Sequence, residues 1–146
     1  MAEVVDTFVL TSVTDRTTRD QNSLWLRGPI PRDDYPHGAD TADIIAEIAN
    51  SHVSASVSVH DAIPAQWSLY FADLAKHWRG WIGEKRHQSF DRRLTISCTS
   101  QRTGHVKLRI VLRNPDTDNW QAEVTLDIEA GQLDAIAKAA ARYFEP

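Results

Sequence analysis

One cysteine, Cys98, stands alone in 146 residues, so the chain forms no internal disulfide and nothing in it requires an oxidising compartment. No apolar run approaches the roughly 20 residues of a membrane span. The opening stretch "MAEVVDTFVL" lacks the basic head and long apolar core of a secretion signal, so the expected location is the cytoplasm, with no membrane partner. Basic residues are not in excess. There are 16 against 20 acidic ones, a net charge of −4, and that balance argues against a dedicated nucleic-acid binder. A Gly-rich phosphate loop, an HExxH pair and a paired-cysteine metal motif are all missing. The sequence therefore predicts no cofactor, no bound metal and no enzyme activity.

What is present is ordinary for one globular domain spanning 1–146. Hydrophobic residues make up 42% and charged residues 25%. Charge is uneven, however. Between Lys76 and Arg93 six basic residues face two acids, Glu84 and Asp91, giving a local charge of +4. This reads either as a solvated helix end and loop or as a patch for an acidic partner.

Periodicity places the elements. "VVDTFVLTSV" and "SLWLR" read as strands, rich in β-branched and apolar residues. "GPIPRDDYPHGAD" holds three prolines and two glycines and reads as a loop. Two runs with period two follow, Ile44–Ile48 and Val53–Val59, joined at Asn50-Ser51. A two-residue turn there would set Ile48 opposite Val53 and Ile44 opposite Val57. The period then changes. Trp67, Tyr70, Phe71, Leu74, Ala75 and Trp78 recur at three and four, the stripe of an amphipathic helix, with Pro64 in its first turn and Asp61 as a candidate cap. Three alternating strands begin at Leu94, Val106 and Trp120, and pairing Leu112 with Trp120 would bring Arg109 to Glu123. A last helix, about 132–144, carries Leu133, Ile136, Ala137, Ala140 and Phe144 on one stripe, with Asp134 and Lys138 paired at i,i+4.

The order is ββββαβββα, with no internal repeat visible. One-sided strands in hairpins imply an antiparallel sheet with a wet face. The expected fold is α+β: one sheet of about seven strands with two amphipathic helices packed on one face.

Candidate functional residues fall in two places. In "HWRGWIGEKR", Trp78 continues the helix stripe, Gly80 suits a left-handed helix end, and Trp81 can fold back over that end. Arg79, Trp81, Lys85 and Arg86 are the candidate recognition group, since tryptophan beside arginine is the usual make-up of an interface hot spot. The second group is Asp33, Asp34, Tyr35 and His37, with Asp40, in the proline-rich loop. It is the densest cluster of acids and histidine, readable as a metal or acid/base site or as a solvated loop. His52 and His60 share a strand face about 27 Å apart at strand rise, too far to bind one metal. Cys98 faces the apolar side and reads as core.

"FADLAKHWRGW", the strand "GHVKLRIVLR", the strand opening on Trp120 and the final helix together resemble a family of small bacterial proteins known only as a domain of unknown function. The resemblance covers about residues 67–144. That family looks similar to immunity proteins of bacterial toxin systems, and it attaches no catalytic residue. The resemblance implies a non-enzymatic protein that binds and blocks a cognate protein partner. The alternative is a small-molecule or enzymatic pocket between helix and sheet. Pairing of an exposed strand edge could also make a homodimer.

Overall fold

The structure is a computed structural model that describes residues 7–12, 21–28, 42–116 and 118–145. The strands are β1 (Thr7–Thr11), β2 (Ser23–Arg27), β3 (Ala42–Ala49), β4 (Ser54–Asp61), β5 (Glu84–Gln88), β6 (Leu94–Ser100), β7 (His105–Asn114) and β8 (Trp120–Glu129). Helix α1 (Ala65–Lys76) follows β4. A 3₁₀ turn (Ala130–Gln132) and α2 (Leu133–Phe144) follow β8. The α+β class and the antiparallel pairing hold. The single seven-stranded sheet does not: eight strands form two four-stranded meanders, β1-β2-β3-β4 and β5-β6-β7-β8. The extra strand, β5, reads EKRHQ. It has no apolar residue to show a period of two, so its sequence looks like a charged loop. Counting it reveals ββββα twice over, a repeat of architecture that the sequence hides.

Geometry explains why one wide sheet is not formed. A 12-residue helix is about 18 Å long and about 10 Å wide. Two such helices cannot roof seven strands at about 4.8 Å spacing. Two sheets of four, turned onto one interior, cover each other as well. Phe8, Leu26, Ala46 and Val57 make one inner row of the first sheet, and Lys85, Cys98, Leu108 and Leu126 one row across the second. The apolar members of both rows belong to a single buried cluster with the helices. Trp67, Phe71, Leu74, Tyr143 and Phe144 fill the space between helices and sheets, and all are buried. Phe8 reaches in from β1, with ring centroids 5.3 Å from Phe71 and 5.8 Å from Phe144.

Two expected registers are shifted by two residues. Ile48 pairs with Ala55 and Ile44 with Val59, because the turn is a four-residue loop. Asn50 Oδ1 accepts from the His52 and Val53 amides, which fixes that loop. In the last hairpin Leu112 pairs with Ala122. A shift of two keeps every side chain on its face. The Arg109–Glu123 ion pair therefore survives as a diagonal contact at 2.8 Å. Trp78 leaves the helix stripe: α1 stops at Lys76 and the indole is half exposed. Asp61 does not cap α1, whose N-cap is Pro64 without a side-chain bond.

Asp61 does something else. It is buried, and its two carboxylate oxygens accept from Trp67 Nε1 at 2.7 Å and from the Phe90 amide at 3.2 Å. Asp91, in the β5–β6 turn, accepts from the His60 amide at 2.7 Å and from Ser89 Oγ at 2.8 Å. These two carboxylates tie the end of the first meander to the first hairpin of the second. Cys98 is buried, and burial pushes its thiol up to about 12, so it is core and not a nucleophile near neutral pH. No helix among the described residues is long and apolar enough to cross a membrane.

Replacing Asp61 with Ala strands two donors, and a lost buried acceptor costs about 1–3 kcal/mol. The urea midpoint of D61A should fall accordingly. An unchanged midpoint would show that the tie does not hold the sheets. A second expectation concerns His87, whose ring meets Trp67 edge-on at 4.3 Å. Burial holds its imidazole below the ordinary value, with Asp61 opposing. The unfolded chain then takes up the proton first, so stability present above about pH 6.5 declines as pH falls through that value toward the folded-state one. His87→Phe keeps the ring contacts, and the difference in stability between it and the native chain should narrow in favour of the variant on acidification from pH 7 to 5.5. Parallel pH profiles would refute the assignment.

Candidate functional site

The segment after α1 is shaped by its glycines. Gly80 has φ of 127° and donates its amide to His77 O at 2.8 Å. A Cβ there would sit 3.2 Å from Ser100 Oγ, so both dihedral and space favour glycine. Gly83, at φ of 84°, turns the chain into β5. Between them the two tryptophans take different environments. Trp78 is 52% exposed, with the Arg79 guanidinium 5.4 Å from its ring centroid. Trp81 packs against the core cluster, with Lys85 Nζ 5.6 Å from its ring centroid. Ile82, between the glycines, is fully exposed.

Lys85 Nζ is anchored at 2.7 Å on Asp73 Oδ2, from the last turns of α1. That hydrogen bond holds the Asp73 carboxyl below the usual carboxylate range. His77 Nδ1 reaches the other Asp73 oxygen at 3.2 Å. The chain Asp73–Lys85–Trp81 thus fixes the indole. Its Nε1–H is buried and meets no hydrogen-bond partner among the described residues.

An open cavity of about 680 Å³ lies over this segment, between it, the β6–β7 turn and the 3₁₀ turn. Trp78, Arg79, Trp81, Ile82, Arg102 and His105 give it its chemistry. Among the described residues that line it, none is acidic. The site can hold an apolar anchor against the indoles and a carboxylate against the arginines. Beside it, Thr103 Oγ1 and His105 Nδ1 make a hydroxyl–imidazole contact at 3.4 Å. Among the described residues no three His, Cys, Asp or Glu side chains cluster as metal ligands.

The structure divides the sequence-predicted residues. Arg79 and Trp81 line the cavity. Lys85 is committed to Asp73 and Trp81. Arg86, next along β5, points to the opposite face and lines a different depression on the outer side of the second sheet. Arg93 pairs with Asp116 at 2.9 Å. Asp33, Asp34, Tyr35 and His37 lie outside the described residues. Sequence reasoning missed Ile82 and Arg102; it places His105 at a strand start over Thr99 and near Asp127, whereas Lys107 pairs with those two and His105 pairs with Glu129. An isoleucine between two glycines was a readable sign of an exposed tip. Arg102 comes from the distant β6–β7 turn and left no local sign of its place in the cavity, while His105 opens β7.

No curated protein matches this chain. A chain from the "Crystal structures of trypanosoma bruciei MRP1/MRP2" aligns over 94% of this chain and 84% of its own, with 16% identity and a TM-score of 0.49. The sequence pattern of a family of unknown function (DUF6228) matches residues 17–146, and the chain belongs to that family.

Proposed function

We propose that this is a non-catalytic binding protein, and that its Trp78–Ile82 cavity receives an acidic, apolar-anchored segment of a protein partner. The observation that carries the reading is the pairing of exposed apolar groups, Ile82 and Trp78, with two arginines that meet no acid on the cavity wall. A soluble surface rarely leaves a tryptophan and a fully exposed isoleucine together beside arginines without use. The cavity is basic within a chain of net charge −4, so it attracts carboxylates locally while the rest of the surface repels unselected acidic proteins. The stranded Trp81 Nε1–H adds a donor that a partner's carbonyl or carboxylate oxygen could satisfy after a small shift of the indole. An immunity-type role in bacteria, binding and blocking a cognate toxin, is the form of this reading that the resemblance of the "HWRGW" helix and its following hairpin favours.

Affinity capture from the source organism, with identification of what is retained, tests the proposal when run beside Ile82→Asp and Arg79→Glu. Both sites are exposed, so thermal midpoints should stay within a few degrees. A true partner should lose at least about tenfold in affinity to each variant, equivalent to about 1.4 kcal/mol. A partner retained equally by all three proteins binds elsewhere, and a native protein that elutes alone at its natural concentration would overturn the reading.

A further inference from the structure

The outer face of the second sheet carries a separate feature. Thr95 and Ser97 on β6 face away from the core, yet they are only 7% and 8% exposed. They are covered by the longer side chains of the flanking strands, and the result is a polar trough of about 280 Å³. Register makes the arrangement definite. Ser97 is directly opposite Arg86 on β5 and directly opposite Arg109 on β7. A short hydroxyl therefore lies between two guanidinium-bearing positions, one strand spacing away on either side. Arg113 stands further along β7 on the same wall. Gln88 Nε2 donates to Thr95 Oγ1 at 2.8 Å and closes that end of the floor.

The charges do not cancel. Arg109 is held by Glu123, a solvent-exposed pair at 2.8 Å. Arg86 and Arg113 form no ion pair among the described residues. Among the described residues Glu84 is the one acid on the wall, against the three arginines. A carboxylate has two oxygens in one plane and can be satisfied by a single guanidinium fork; Glu123 meets Arg109 through one oxygen only, Oε2, which accepts from Nε at 3.0 Å and lies 2.8 Å from Nη2. Two guanidiniums approaching from opposite sides, with a hydroxyl below, match a tetrahedral dianion whose oxygens point in several directions. The volume, about 280 Å³, falls just below that of drug-sized small-molecule sites, which run from about 300 Å³ upward, and suits a ligand of few atoms.

We propose that this trough binds the phosphate group of a small molecule, held between Arg86 and Arg109 above the Ser97 hydroxyl. Glu123 is then a resident carboxylate that yields Arg109 to the incoming dianion. The trough is on a different face from the Trp78–Ile82 cavity and stands independently of the protein-binding reading.

Amide-shift NMR titration tests it, using inorganic phosphate, glycerol phosphate and acetate at matched ionic strength. Phosphate or its monoester should give saturable shifts centred on residues 86, 97 and 109, and acetate should not. Arg86→Gln should weaken binding at least about tenfold. Arg142→Gln, on α2, should leave it unchanged, and unaltered amide spectra in both variants establish that they are folded. Tighter binding of the monoester identifies a phosphorylated metabolite as the ligand class. Equal binding identifies free phosphate, and both results support the site. Shifts that never saturate, that acetate reproduces, or that R142Q weakens as much as R86Q would overturn it. A single-stranded oligonucleotide binding far more tightly than the monoester, with steep salt dependence, would also overturn it in favour of a polyanion surface.

Discussion

Nine apolar side chains line the inner face of β1–β4 and nine more line that of β5–β8, among the described residues. Burial of those two faces in one interior is the constraint on which everything else rests. Each fully buried large side chain is worth about 1.5–3 kcal/mol, and two 12-residue helices are too small to roof both faces at once. The two sheets must therefore share their covering. The aromatic residues of both helices and Phe8 meet at the point where all four pieces converge. Because both inner faces are spent on stability, it is the outer faces and the turns that the described residues present to solvent.

Sharing an interior leaves strand edges exposed, and the chain treats them with side chains. Ser12 Oγ accepts from the Asp127 amide at 3.0 Å, and Asn22 Nδ2 donates to Thr125 O at 2.9 Å. Together they stand in for a neighbour along β8. Asp91 does the same for β4 at the His60 amide. On β5 the charged residues Glu84, Lys85 and Arg86 discourage pairing with another chain. The charged stretch that reads as a recognition patch thus has a structural task as well. Alternation along one strand sends Lys85 inward to Asp73 and Arg86 outward to the trough.

The same stretch shows how little backbone is needed to make a surface. Two glycines with positive φ bracket Trp81 and Ile82. They turn one indole onto the core and leave the isoleucine in solvent. Glycine at position 80 also allows the segment to approach Ser100, which brings the β6–β7 turn alongside with Arg102 and His105. The cavity is a product of that close approach.

Much of this was legible in the sequence. Period-two runs at Ile44–Ile48, Val53–Val59 and Val106–Leu112 set strand faces, except that Val53 itself falls in the loop before β4 and is exposed, and the stripe from Trp67 to Leu74 set a helix, since alternation and the 3.6 repeat are local consequences of which side meets water. Those faces survived a two-residue error in register because parity is all they encode. The glycines at 80 and 83 announced turns for an equally local reason. What the sequence could not decide was β5, with no apolar residue to mark a period, and hence the division into two sheets. Nor could it decide that Arg102 joins Arg79, or that Ser97 lies between Arg86 and Arg109. Those pairings arise from strand register and from how two sheets close on one interior, and only the folded chain brings such distant residues within reach of one ligand.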